Sequence, residues 1–240
     1  MSHDYDVIII GAGPTGLIAA NLLGTYDVKT LVLERDPSTS EIPKAIMIDD
    51  EGLRVCQTVG LTNEVNKIIT VGGGANYYAK DKTKPYMTVK PGRGELGFYP
   101  RNKFLQNEFE QVLLKGLDRF PHVEVRFNMT FESFEQKNET VIAKLEDGTQ
   151  FSARYLFGAD GGRSTVRRQL GIKMRDIGNK KDGSSFEEPW IILDLANDDV
   201  KTRHTSFYCD PPRPWMNAAT AKGQRRYEFM LLPGEDEEEM

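Results

Sequence analysis

The stretch YDVIIIGAGPTGLIAANLLGTYDVKTLVLE, residues 5–34, decides the reading of the fold. Tyr5 to Ile10 is a β-branched apolar run without alternation, the pattern of a parallel strand buried on both faces. It leads directly into Gly11-Ala12-Gly13-Pro14-Thr15-Gly16, after which Leu17, Ile18, Ala20, Leu22 and Leu23 make an apolar helix. Lys29 to Glu34 supplies a second strand, so the segment predicts a β-α-β unit with a right-handed crossover.

A Gly-x-Gly-x-x-Gly on its own is a weak signal. Here it follows a strand, opens a helix and has Glu34 at the end of the next strand, 18 residues beyond Gly16. In that context Gly11 permits the tight turn, Gly13 lets the backbone approach a pyrophosphate, and Gly16 lets the helix pack closely on the strand. The helix N-terminus, with its unpaired N–H groups and positive dipole end, favours the anion. Glu34 is placed to accept hydrogen bonds from the ribose hydroxyls of an adenosine and to repel a 2′-phosphate. The motif therefore points to FAD or NAD rather than NADP; the plain alternative is a glycine turn without a ligand.

Outward from this unit, Asp49 to Leu61 reads as a helix and Asn102 to Phe120 as a longer one, with Phe104, Leu105, Phe109, Val112, Leu113 and Leu117 at helical spacing. Asn76 to Lys80 and Tyr86 to Lys90 read as short strands. Val123 to Phe127, Phe131 to Gln136 and Val141 to Leu145 are further strands, and Asp147-Gly148 is a hairpin turn into Thr149 to Ala153. Tyr155 to Ala159 reads as another buried strand, ending at Asp160-Gly161 before a helix over Ser164 to Leu170. Beyond the Gly- and Lys-rich stretch at Gly178 to Ser185 the character changes, with strands at Trp190 to Leu195, Thr205 to Cys209 and Arg226 to Leu232.

The expected organisation is a Rossmann-like α/β dinucleotide-binding domain over residues 1–178, with 76–99 packing on a second sheet, and a β-rich domain begun over 179–240. A chain of 240 residues can bury a core of that size. Net charge is −5, and the run Glu235-Asp236-Glu237-Glu238-Glu239 alone supplies five negative charges, so the body is balanced. That argues against a nucleic-acid binder, which needs a basic excess. The acidic run reads as the solvated first turn of a helix. No apolar stretch approaches the roughly 18 residues of a membrane span. Met1 to Tyr5 lacks the pattern of a secretory signal, so a cytoplasmic protein is expected. Cys56 and Cys209 are in no metal or disulfide spacing, and His3, His122 and His204 are scattered, so no metal is expected.

Three further segments carry a resemblance: PKAIMIDDEGLR from Pro43, PRNKFLQNEFEQVLL from Pro100 and GADGGRSTVRRQLG from Gly158. Together with the glycine turn they are similar to the p-hydroxybenzoate hydroxylase family of flavin monooxygenases, and the resemblance runs from Tyr5 to the last residue. It implies an FAD-binding domain of the GR2 type. Gly11, Gly13, Pro14, Gly16 and Glu34 would hold the ADP half of FAD, with Arg35 beside the adenosine. Lys44 stands where the family usually has Arg, keeping the charge but losing the bidentate fork. Gln106 matches the family's flavin-contacting glutamine. Asp160 matches the aspartate that reaches toward the cofactor chain, with a helix-cap role as the structural alternative. Arg213 matches an arginine near the flavin, or is a solvated loop residue. Ala45 to Asp49 takes the position beside the isoalloxazine ring, and its apolar residues serve equally as core.

The resemblance implies hydroxylation of a phenolic aromatic acid with NADH and O2, in aromatic catabolism, with no catalytic side chain identified. The rivals are an epoxidase or halogenase on the same scaffold, an NAD-dependent dehydrogenase, and a non-catalytic module. A homo-oligomer stays open. The family's second flavin motif, Gly-Asp-x-x-His-x-x-x-Pro, has no counterpart, since no Gly-Asp dipeptide occurs. The expectation is a chain that ends before that motif, binds FAD weakly and is inactive alone.

Overall fold

The computed structural model describes residues 3–42, 44–174 and 189–235. Along the chain run β1 (Tyr5–Ile10), α1 (Pro14–Thr25), β2 (Thr30–Leu33), β3 (Met47–Ile48), α2 (Asp50–Thr58), α3 (Thr62–Ile68), β4 (Ala75–Tyr78), β5 (Met87–Val89) and β6 (Asn102–Lys103). They are followed by α4 (Gln106–Gly116), β7 (Val123–Arg126), β8 (Phe131–Lys137), β9 (Thr140–Leu145), β10 (Gln150–Gly158), α5 (Thr165–Gln169), β11 (Trp190–Leu195), β12 (Thr205–Tyr208), β13 (Trp215–Ala219) and β14 (Arg225–Met230). The chain divides into two units. The first holds residues 3–42, 44–45, 54–67 and 106–174; the second holds 46–53, 68–105 and, of the later described residues, 189–235.

The first unit is built on a sheet of order β7-β2-β1-β10-β9-β8, parallel from β7 to β10 and antiparallel from there to β8. Ile8, Ile9 and Ile10 are buried, as a central parallel strand requires. Ile8, Ile10, Leu31 and Leu33 pack with Phe131, Ala143, Leu145, Ala153 and Val166. By strand alternation Ile9 and Val32 point to the other face, and α1 packs against α4. There the fully buried Asn21 donates to the carbonyls of Leu17 (2.9 Å) and Leu113 (2.8 Å), and its own oxygen accepts from Arg119. A buried amide is tolerable only with such partners.

Two expected strands are one here. β10 pairs antiparallel with β9 over Gln150 to Ala153 and parallel with β1 from Ala153 to Gly158, so it changes partner without a break. The helix expected from Asp49 to Leu61 ends at Thr58, because Gly60 takes φ +73°, and α3 follows separately. The helix expected from Asn102 begins only at Gln106. Asn102 and Lys103 pair instead with Ile48 and Met47, and the Asn102 amide bridges the carbonyls of Ile48 and Tyr99.

The second unit holds a sheet of order β11-β14-β13-β12-β4-β5, in which only the β12–β4 pair is parallel. β4 and β5 are hydrogen-bonded into it, which is why 68–105 belongs to this unit rather than to the first. β13 has no counterpart in the sequence reading. The boundary expected at 178/179 and the acidic run beyond Glu235 lie outside the described residues. Glu235 itself lies in a turn: its carboxylate accepts from the Leu232 N–H at 2.8 Å. Among the described residues no helix is long and apolar enough to cross a membrane.

Candidate functional site

At the C-terminal ends of β1 and β2 the first unit opens a cleft of about 630 Å³. Its floor is the turn between β1 and α1. Gly11 takes φ +105°, and a Cβ there would stand 2.5 Å from the Ala159 carbonyl oxygen, so only glycine fits. A Cβ on Gly16 would overlap the Gly11 carbonyl, which is the close helix–strand packing its place in the motif demands. Gly13 differs: nothing lies within 4 Å of where its Cβ would be, and that space belongs to the cleft. Pro14 occupies the first turn of α1, and no side chain caps that helix, whose N-cap is Gly13. The start of α1 therefore offers unpaired N–H groups and a positive dipole end to whatever enters.

The Glu34 carboxylate is fixed from two sides. Oε2 accepts from the Ala12 N–H at 2.7 Å and Oε1 from the Asp36 N–H at 3.0 Å. A carboxylate accepts about four hydrogen bonds, so each oxygen retains capacity toward the cleft. Arg35, beside it, is largely exposed and pairs loosely with Asp36 at 3.8 Å.

Asp160, where β10 gives way to α5, does two things at once. Oδ2 accepts from the N–H groups of Thr165 (2.6 Å) and Val166 (3.2 Å), which makes it a cap, while Oδ1 is enclosed and has no partner among the described residues. Gly161, at φ +76°, makes the turn possible, and Ser164 completes the cap by accepting from the Arg167 N–H. An enclosed carboxylate oxygen without a donor is uncommon in native structures.

One wall carries Asp36, Ser38, Thr39, Ser40 and Lys44. The buried Gln106 accepts from the Ala45 N–H at 2.7 Å and donates to Glu110 at 2.7 Å, and Glu110 accepts from the Ser40 N–H at 2.9 Å. Gly11, Gly13, Glu34, Arg35, Lys44, Gln106 and Asp160 thus come to one cleft, and Pro14 and Gly16 shape its floor. Arg213 comes between β12 and β13. It lies in the second unit, donating to the Met230 carbonyl at 3.0 Å and pairing with Glu235, whose carboxyl this bond holds below its ordinary range.

Sequence reasoning missed Glu110 and Arg163, both of which line the cleft. Glu110 lies four residues after Gln106 on α4, and that helical spacing was the available signal. Of the two cysteines, Cys56 is buried and burial lifts its thiol to about 11; Cys209 is exposed and lies 3.7 Å from the Tyr86 hydroxyl.

A family profile described as FAD binding domain matches residues 4–239. The 3-(3-hydroxy-phenyl)propionate/3-hydroxycinnamic acid hydroxylase of Comamonas testosteroni is 38% identical over 241 residues, covering 99% of this chain and 40% of that protein. The enzyme of the same name from Escherichia coli (strain SMS-3-5 / SECEC) is 38% identical over 244 residues, covering 100% of this chain and 43% of its own length. The chain thus spans about two-fifths of these relatives. Among solved structures, p-nitrophenol 4-monooxygenase PnpA from Pseudomonas putida DLL-E4 superposes with a TM-score of 0.85 at 23% identity, over all of this chain and 60% of that one. A ternary complex of aklavinone-11 hydroxylase with FAD and aklavinone gives 0.77 at 23% identity, over all of this chain and 48% of the other. These two are likenesses of fold.

Proposed function

The chain belongs to the FAD binding domain family, and from that premise we propose that it is the FAD-binding portion of a monooxygenase that hydroxylates a phenolic aromatic acid, such as 3-(3-hydroxyphenyl)propionate, with NADH and O2. The observation that carries the cofactor assignment is the enclosed, unpartnered Oδ1 of Asp160 in the cleft floored by Gly13 and the uncapped start of α1. An anion seated over Gly13 meets backbone N–H groups and the helix dipole, and an added Cβ would fill that place. The cleft residues fit an FAD diphosphate flanked by an adenosine ribose and a polyhydroxyl chain. Glu34, already held by two N–H groups, accepts from the ribose. Asp160 Oδ1 accepts from a hydroxyl of the cofactor chain, and Lys44, Arg35 and Arg163 bring positive charge to the rim.

When bound, FAD supplies the hydride acceptance and oxygen activation that no side chain can. The protein's part is binding, orientation and exclusion of water. Gln106 and Glu110 contribute by holding the backbone at Ser40 and Ala45 beside the cleft. The names of the two curated relatives support a phenolic acid as substrate.

The test is spectroscopic. FAD titrated with the purified chain should show a saturable change in flavin absorbance. In the protein that carries this chain, NADH should bleach that absorbance faster with 3-(3-hydroxyphenyl)propionate than without it, and a catechol should form. A flavin spectrum that the chain leaves unchanged, or a flavin indifferent to the phenol, contradicts the cofactor or the substrate assignment respectively.

A further inference from the structure

Strand registers in the second unit place Phe207, Met216, Glu228 and Ile192 in one row across β12, β13, β14 and β11, and Ala218, Arg226 and Asp194 in the next. These side chains share a face of the sheet. Arg226 is 1% exposed; its Nε and Nη2 grip Asp194 at 2.8 and 2.7 Å, and its Nη1 lies 3.8 Å from Glu228. That buried cation has its counter-charges.

Lys103 of β6 has no carboxylate in contact among the described residues and feels Glu228 only from beyond salt-bridge distance. It is 3% exposed, and its ammonium makes one hydrogen bond, to the neutral Thr205 hydroxyl at 2.6 Å. An ammonium has three donors. Two residues earlier, Arg101 has its Nε enclosed without an acceptor. Burial, then the Arg101 charge, push the Lys103 pKa down to about 8, with Glu228 acting against them and Arg225 with them. The lysine therefore remains a cation at neutral pH. A buried cation with a single neutral partner is unfavourable, and two close together are more so, unless an anion arrives.

We propose that Lys103, with Thr205 and Arg101, is the receptor for the carboxylate of the aryl acid on which the protein acts. This rests on the reading of the substrate as a phenolic acid, and it adds the residues that select the acid over a neutral phenol. Thr205 orients the ammonium through the 2.6 Å bond, leaving two donors for a carboxylate oxygen pair.

Isothermal titration of the chain at pH 7 with 3-(3-hydroxyphenyl)propionate and with its uncharged amide tests this. The acid should bind at least about tenfold more tightly, the worth of a charge-assisted hydrogen bond. Lys103→Met should bring the two ligands within about twofold of each other while leaving the amide's affinity in place, and Arg101→Gln should weaken the acid by a smaller factor. If Lys103→Met does not fold, the wild-type chain still decides: the acid should raise its thermal midpoint, and the amide or inorganic phosphate at equal concentration should not. Equal binding of acid and amide, failure of the acid to bind, a preference retained in a folded Lys103→Met, or an equal shift with phosphate overturns the proposal. FAD binding is measured on the same samples. Flavin bound without acid selection removes the lysine receptor alone; acid selection without flavin binding removes the cofactor reading and leaves the receptor standing.

Discussion

Asp160 concentrates the residue-scale argument, because one oxygen caps α5 and the other has no partner among the described residues. Asp160→Asn can keep the capping oxygen but replaces the acceptor in the cleft by an amide, so FAD affinity should fall about tenfold with the thermal midpoint little changed. Asp160→Ala loses both, costing about 1 kcal/mol of stability for the cap as well. Flavin titration beside thermal unfolding separates the two roles, and equal FAD affinity in Asn and wild type would leave only the cap.

Lys103 gives a prediction with a sign. The unfolded lysine titrates near 10.5 and the folded one at about 8, so between those values the unfolded chain binds the extra proton and stability rises with pH. Relative to Lys103→Met, wild type should gain on the order of 3 kcal/mol from pH 7 to pH 10.5, read by denaturant unfolding at each pH. No change across that window would mean the ammonium is solvated. The glycines and Glu34 were readable from sequence because the backbone geometry they serve is local. Glu110 was not, since its role depends on Ser40, seventy residues away.

At the scale of elements, the glycine-rich β1-α1-β2 unit was legible in full, its boundaries set by the apolar run and the turn. Asn102 and Lys103 were read as helix because Phe104 and Leu105 continue a helical spacing into α4. The pairing with β3 and the Asn102 bridge to Ile48 and Tyr99 override that local preference. β13, WMNAA, carries an Asn and two Ala that disfavour strands, and it forms because β12 and β14 pair with it on both sides. α4 offers the sharpest test at this scale. Glu110→Ala removes the acceptor for Ser40 and the partner of Gln106, and should destabilise by about 1–3 kcal/mol while weakening FAD several-fold by freeing the backbone at Ser40 and Ala45. Hydrogen exchange of the Ser40 and Ala45 amides checks it; unchanged protection would mean that backbone is held by other contacts.

For the molecule as a whole, composition and the turn were enough to foresee an α/β nucleotide-binding unit and a β-rich second unit, and the expectation that 76–99 packs on the second sheet agrees with the pairing of β4 and β5 there. Tyr86 to Lys90 was readable as a strand although Met87, Thr88 and Val89 of β5 are all exposed. The second sheet ends at β11, which has no neighbour on its outer side among the described residues and exposes Ile192 (48%), Leu193 (49%) and Leu195 (44%). An apolar edge strand of this kind templates pairing with another copy. The chain should self-associate at high concentration, and Leu193→Lys should shift sedimentation toward monomer; a wild type that stays monomeric throughout contradicts this. The account as a whole stands on the open space over Gly13. FAD titrated into the wild-type chain and into Gly13→Val, followed by flavin fluorescence, measures it: saturable binding in wild type, at least about tenfold weaker in the variant, is the predicted result, and equal affinity in the two, or none in wild type, would contradict the account.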